Sequence, residues 1–191
     1  MKRILLIGDS IRLGYEAHVR RALEGQAEIL SPRENGGTSV NVLAHLDEWA
    51  IAQQPDVVHL NCGLHDLRRE FGADENAVPL AAYEENLERI WSRLQGETEA
   101  ALIWATTTPV HEGRHHATKG FDRFEADVVA YNAAALRVAR RHELAIDDLY
   151  ATVMSAGRDR LLLPDGVHYT DEGYALLGAA VVAAVRPLLG A

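Results

Sequence analysis

Ile4-Leu5-Leu6-Ile7-Gly8-Asp9-Ser10 is an unbroken apolar run that stops on a glycine, an acid and a hydroxyl. Four apolar residues without polar alternation have the pattern of a strand covered on both faces, as in a parallel sheet. A helix is predicted next, over about 13–23, with Val19, Ala22 and Leu23 at helical spacing and Gly25 beyond its end. The same strand–helix alternation continues outward along the chain. Residues 27–30, 57–60, 100–104 and 144–146 read as four further strands. Ser39 opens a helix with Val40, Leu43, Leu46 and Ala50 on one face, and Pro79 starts one carrying Leu87, Ile90 and Leu94. A long helix is expected over 122–142 with Val129, Leu136 and Val138 inward. Thr170 caps the last helix, which packs through Leu176, Leu177, Ala180 and Val181. Two long loops, 67–78 and 105–121, interrupt this rhythm. Five strands alternating with helices, each crossover long enough for a right-handed βαβ unit, predict a doubly wound α/β sheet. Ligands of such sheets bind beyond the carboxyl ends of the strands, where strand order reverses.

Composition narrows the class. The 191 residues are 48% hydrophobic and 25% charged, which suits one domain over 1–191 with a substantial core. The formal net charge of −9, with no Lys/Arg cluster on a predicted element, argues against a nucleic-acid partner. Cys62 is the only cysteine; it can form no internal disulfide and is expected to be a buried small hydrophobe. The apolar run at 4–7 is too short for a secretory signal, and that at 174–185 stops at Arg186, short of the ~20 residues that span a bilayer. No stable membrane association and a cytoplasmic location are therefore expected.

The chemistry-bearing residues collect at the predicted carboxyl edge. Ser10 follows the first strand, Asn35-Gly36-Gly37-Thr38 the second, Asn61-Cys62-Gly63-Leu64-His65-Asp66 the third and Thr106-Thr107-Thr108 the fourth, while Asp165-Gly166-Val167-His168 precedes the last helix. A serine hydroxyl is a poor nucleophile until an imidazole takes its proton, and the imidazole needs a carboxylate to hold its tautomer. Asp165, three residues before His168, can orient that ring through the intervening turn. An attacked carbonyl then needs donors: the Ser10 N–H, a glycine N–H after the second strand and a side chain after the third. Each motif alone is an ordinary turn; their conjunction in order on successive edge loops favours catalysis.

Gly8-Asp9-Ser10, the glycine turn at 36–37, Gly63-x-His65-Asp66 and Asp165-x-x-His168 resemble the four sequence blocks of the SGNH hydrolases, or GDSL esterases and lipases. The resemblance runs from residue 4 to about 185. It implies a flavodoxin-like, three-layer α/β/α sandwich with a five-stranded parallel sheet, and a serine esterase acting on a small-molecule ester without metal or cofactor. It also implies Ser10 as nucleophile, His168 as base and Asp165 as its support. The oxyanion donors would be Ser10, Gly36 and His65, with Gly37 left open by the spacing as the alternative glycine. Gly37, Asn35, Asn61 and Gly63 are expected to border the substrate, and Asn35 or Asn61 to stand in if His65 does not donate. His65 is the one departure, since the family's third block has asparagine there. A neutral imidazole still presents one N–H. Asp66 is expected to tie its loop to backbone N–H groups, and Asp9 to do the same for the Ser10 turn.

Arg12 is expected to be an exposed arginine at the helix start, with a substrate anion as its alternative partner. Arg68, Arg69, Glu70 and Phe71 in the first long loop, and His111, Glu112, Arg114, His115, His116 and Lys119 in the second, wall the pocket either as a cationic rim or as solvated charge. The three histidines lack an acid or thiol to complete a metal shell, so no metal is expected. Against a nucleotide or flavin module stands the absence of Gly-x-Gly-x-x-Gly after the first strand, and Asp147-Asp148 occupies the position where a phospho-receiver would need lysine. An acyltransferase with the same triad, or a weakly active ligand-binding member, are the alternatives to an esterase hydrolysing acetyl or short-chain esters.

Overall fold

The computed structural model describes residues 1–190; Ala191, the last residue of the expected domain, lies outside the described residues. In chain order the elements are β1 (Lys2–Ile7), α1 (Ser10–Ala22), β2 (Ala27–Leu30), α2 (Ser39–Ala44) with a π turn at Asp47–Ile51, β3 (Val57–Leu60), β4 (Arg69–Glu70) and α3 (Leu80–Glu97). Then come β5 (Ala101–Ala105), α4 (Glu112–Thr118), β6 (Phe121–Asp122), α5 (Glu125–Arg141), β7 (Ala145–Asp147), α6 (Leu149–Ala156), α7 (Arg158–Leu161) and α8 (Asp171–Val185). Five strands form one parallel sheet in the order β2-β1-β3-β5-β7, with Ile4 in register with both Ile29 and Val57, and Trp104 with Ile146. Helices α1, α6 and α8 pack together as one layer, and α2, α3 and α5 as the other. This is the expected three-layer α/β fold.

Ile4 to Ile7 are fully buried, which explains their lack of polar alternation. One contiguous core joins them to Val58, Leu60, Ile103 and the perpendicular pair Trp91 and Trp104, whose ring centroids are 6.2 Å apart. From β1 the chain runs outward to β2 and returns across β1 to β3, so strand order reverses between β1 and β3. The carboxyl ends of those two strands carry Ser10 and the 61–66 loop. Among the described residues no helix is long and apolar enough to cross a membrane.

Several expectations shift. Helix α1 begins at Ser10, because the Asp9 carboxylate caps it through Ile11 N–H at 2.9 Å. Thr38, not Ser39, caps α2, and the buried face is Val42, Leu46, Trp49 and Ala50, itself at ordinary helical spacing, while Val40 is exposed. In α5, which starts only at Glu125, the inward residues are Val128, Tyr131, Ala135 and Val138, and Val129 faces outward. The loop at 105–121 contains α4, and the two long loops pair with each other as β4 and β6, an antiparallel ribbon joining Arg69 to Asp122 and Glu70 to Phe121.

Asn132 of α5 holds the end of β5: its Oδ1 accepts from Thr107 N–H and its Nδ2 donates to Thr107 C=O, both at 2.8 Å and buried. Asn132→Ala would orphan both backbone groups. A loss of about 2–4 kcal/mol is expected in urea unfolding; a loss under ~1 kcal/mol would contradict this account.

Candidate active site

The turn after β1 is shaped by two contacts. Asp9 is buried and caps α1, which leaves Ser10 as the first helical residue, its N–H without an acceptor inside the helix. Gly36 N–H donates to Gly8 C=O at 2.9 Å, an approach that only glycine permits, since a Cβ on Gly36 would lie 2.8 Å from that oxygen. At the far end of the chain a tight turn is closed by Leu163 N–H on His168 C=O at 2.8 Å and by a bridge between Leu162 and Tyr169. Gly166 takes φ +70° in that turn and lies against the backbone of His111, so a side chain there would meet both strain and a clash.

These two turns bring together residues from opposite ends of the sequence. His168 Nδ1 lies 2.6 Å from Asp165 Oδ2, and His168 Nε2 lies 3.0 Å from Ser10 Oγ. The nitrogen facing the carboxylate carries the proton, so the other faces the hydroxyl as an acceptor. Asp165 Oδ1 accepts from the N–H groups of Val167 (3.1 Å) and His168 (3.0 Å), and Lys119 Nζ stands 3.3 Å from Oδ2. Burial alone would raise the Asp165 pKa; the hydrogen bonds from the His168 ring and from the two N–H groups outweigh it and hold the carboxyl well below the usual carboxylate range.

His65 is half-buried beside this chain, and among the described residues its ring has no hydrogen-bond partner. Burial lowers its pKa; Asp9 opposes this, while Arg123, Arg68 and His168 add to it, so the ring is neutral at pH 7. A hydroxyl, an imidazole and an ionised carboxylate in series, with a helix N-terminus behind the hydroxyl, can activate an oxygen nucleophile and bind developing negative charge.

The model of the GDSL-like lipase/acylhydrolase family matches residues 6–176. The chain belongs to that family. As a GDSL acylhydrolase it is a carboxylic ester hydrolase. A lipase/acylhydrolase from Enterococcus faecalis has the same fold at 27% identity, with a TM-score of 0.82 over 98% of this chain and 96% of that one. An acetyl xylan esterase from Geobacillus stearothermophilus, studied as a tryptophan variant, superposes at 20% identity with a TM-score of 0.76 over 96% and 94%. An enzyme from the metagenome of Lake Arreo does so at 19% and 0.77, over 98% and 96%. No curated protein sequence matches the chain.

The remaining edge residues of this acylhydrolase divide between the site and its scaffold. Asp66 accepts from Ser39 N–H at 2.8 Å and from Ser39 Oγ at 2.5 Å, tying the β3 loop to the start of α2. Asn61 is already engaged: its Nδ2 donates to Ala105 C=O at 2.8 Å and its N–H to Ile7 C=O, joining the ends of β1, β3 and β5. Asn35 is exposed and its Oδ1 accepts from Gly37 N–H at 2.9 Å, so Gly37 has a local partner. Gly63 is buried against Thr107, with its carbonyl accepting from Leu67 N–H. Cys62 is fully buried and its thiol pKa is pushed up by burial, which makes it inert.

Arg12 is neither exposed nor free. It is 2% exposed, and its guanidinium reaches Glu16 and the carbonyls of Pro32 (3.0 Å) and Glu34 (2.8 Å), fixing the segment that leads into Gly36. The loop charges are also paired: Arg68 with Glu70, Arg69 with Asp127 and His116 with Asp122. The three loop histidines diverge, since His111 caps α4, His115 is buried against Arg123 and His116 bonds Asp122. Sequence reasoning missed Arg123 and the contact of Lys119 with Asp165. The first was absorbed into a helix expected from residue 122, although Phe121-Asp122-Arg123-Phe124 carries a strand-like alternation.

Asp66 also gives the protein a pH signature. Burial raises its pKa from the ordinary 3.8 to about 7, against the opposing bonds from Ser39. The folded state then keeps a proton that the unfolded state releases near pH 4. This group favours folding below pH 4, and that contribution is lost as pH rises towards 7. Asp66→Asn should flatten the slope of unfolding free energy across pH 4–7, by up to about 1.4 kcal/mol per pH unit; an unchanged slope in chemical denaturation would count against it.

Proposed function

We propose that the protein is a serine esterase that hydrolyses small acetyl or short-chain carboxylic esters through an acyl-enzyme on Ser10. The observation that carries this reading is the continuous chain from Ser10 Oγ through His168 to Asp165, at 3.0 and 2.6 Å. Ser10 Oγ attacks the ester carbonyl as its proton passes to His168 Nε2. The resulting imidazolium is stabilised by Asp165, which stays ionised throughout. The alkoxide of the tetrahedral intermediate is received by the free N–H of Ser10 and by a neutral His65 N–H. Gly36 N–H contributes as a shared donor, because it also serves Gly8 C=O. Collapse expels the alcohol, which takes its proton from His168. Water then repeats the sequence on the acyl-enzyme and regenerates Ser10.

Two observations support a small acyl group. A long chain would need an apolar channel beside the nucleophile. A groove of about 740 Å³ does occur, but it lies between α1 and α8, lined by residues such as His18, Gly178 and Val182, and includes none of Ser10, His65 and His168. Two proteins with this fold are named as acetyl xylan esterases, which fits acetyl as the acyl group.

The test is hydrolysis of p-nitrophenyl acetate, butyrate and octanoate, with fluorophosphonate labelling read by intact mass. Turnover falling with chain length, and a single label that vanishes in Ser10→Ala, are expected. Ser10→Ala and His168→Ala should each lower kcat on the order of 10⁴-fold or more, and Asp165→Asn on the order of 10²–10⁴-fold with KM nearly unchanged. Asp165→Asn with wild-type kcat would sink the triad assignment. For the oxyanion role, His65→Ala should cost on the order of 10²–10³ in kcat while His65→Asn restores most of it. Equal losses in both variants would remove His65 from the hole.

A further inference from the structure

Arg123, just before α5, has an unusual setting for a cation. It is 6% exposed, yet among the described residues no carboxylate lies within ion-pair distance of it. Nε donates to Leu64 C=O at 2.6 Å and Nη1 lies 3.1 Å from His115 Nε2. Nη2 is the one nitrogen of the group that neither bonds to the protein nor is sealed within it. Leu64 directly precedes His65, so the guanidinium is fastened to the loop that flanks the nucleophile. Its charge acts on His65 and on His115, and it is itself acted on by Asp9 and Asp165. The cation is therefore within electrostatic reach of both the Ser10 turn and the Asp165–His168 turn.

Its neighbours do not neutralise it. His115 presents an acceptor nitrogen and carries no negative charge, its pKa lowered to about 4 by burial and by Arg123 and Lys119. Phe121 offers its ring face, 5.0 Å from the Arg123 guanidinium carbon and 3.9 Å from that of Arg68. Lys119 adds a further cation on Asp165. Burial lowers the Arg123 pKa to about 10, with Asp9 and Asp165 opposing and Arg68 adding to the effect. A buried guanidinium without a counter-ion is costly, and the cost is relieved when an anion enters beside it. Arg68, Arg69 and Lys119 of the long loops each have a carboxylate partner already, and Arg114 sits at the surface on a backbone carbonyl; Arg123 is the buried one without a carboxylate in contact.

The geometry points to Arg123 as the residue that selects the substrate of this esterase: an ester carrying a carboxylate close to its scissile bond, one oxygen of which takes the free Nη2 edge. This rests on the reading of Ser10 as the nucleophile, and it adds the class of ester. A charge-assisted hydrogen bond formed out of bulk water is strong enough to favour the anionic ester about tenfold or more over a neutral analogue.

The experiment compares kcat/KM within two matched pairs. The first pair is 4-acetoxybenzoate and methyl 4-acetoxybenzoate, with the charge on the leaving group. The second is mono-4-nitrophenyl adipate and methyl 4-nitrophenyl adipate, with the charge on the acyl group. Wild type should prefer the anionic member of at least one pair by tenfold or more. Arg123→Gln should bring that ratio to within about twofold of unity, and Arg123→Lys should keep part of it. Because each ratio is taken within one protein, it is insensitive to any loss of folded enzyme. A neutral preference in both pairs, or a ratio untouched by Arg123→Gln, overturns the proposal. Calorimetric binding of both anionic esters to Ser10→Ala, with and without Arg123→Gln, decides the matter independently of turnover. At least tenfold weaker binding of one of them in the double variant supports the anion site, and equal binding of both overturns it. Failure of wild type to hydrolyse any ester, p-nitrophenyl acetate included, would instead overturn the esterase reading.

Discussion

Everything at the carboxyl edge depends on keeping the Asp165 carboxylate ionised while it is partly out of water. Four donors converge on it: two backbone N–H groups of its own turn, the His168 ring and the Lys119 ammonium. The backbone pair comes from the chain's own folding and costs little side-chain entropy. It leaves Oδ2 turned towards the ring, which fixes the tautomer and aims Nε2 at Ser10. Asp66 shows the contrary outcome. It is more deeply buried, is held by Ser39 alone, and its pKa rises to about 7. The two carboxylates are chemically alike, and their surroundings set one as a charge and the other as a tether.

The doubly wound sheet makes this convergence geometrically inexpensive. Reversal of strand order between β1 and β3 opens a crevice at their carboxyl ends, and the last loop closes over it before α8. The hydrogen bond from Gly36 to Gly8 then draws the β2 loop onto the Ser10 turn. In the free protein this bond occupies the amide that the resemblance assigns to the oxyanion. In the proposed mechanism a tetrahedral intermediate would compete for it, which would leave more of the stabilisation to the Ser10 N–H and to His65.

How much of this was readable in the sequence follows from the range of the interactions involved. Strands β1, β3 and β5 announced themselves through local apolar runs, and Asp165-x-x-His168 through a spacing that a single turn closes. Edge placement supplied the rest of the Ser10 chain. In α2, Val40-Leu43-Leu46-Ala50 and Val42-Leu46-Trp49-Ala50 are both apolar sets at helical spacing, so spacing alone does not choose between them, and packing buries the second. Strands β4 and β6 have two residues each and exist only through each other, so no local window could contain their cause. Asn61 reads in the sequence as a substrate contact, but its amide nitrogen is engaged by Ala105 across the sheet, a partner 44 positions along the chain.

The two buried arginines were the hardest to read, since arginine is rarely buried without a partner. Arg12 in α1 and Arg123 just before α5 use the same device, a guanidinium donating to loop carbonyls at Pro32 and Glu34 in one case and at Leu64 in the other. They differ in charge balance. Arg12 has Glu16 at hydrogen-bond distance, so its site is electrically closed and its work is structural. Arg123 makes the same kind of backbone clamp with no carboxylate beside it. A clamp alone would be served as well by a neutral donor, so a buried charge with no carboxylate in contact is the feature that scaffold duty leaves unexplained. It is also the feature that places a positive potential beside the reacting ester, where it can discriminate between substrates by their charge.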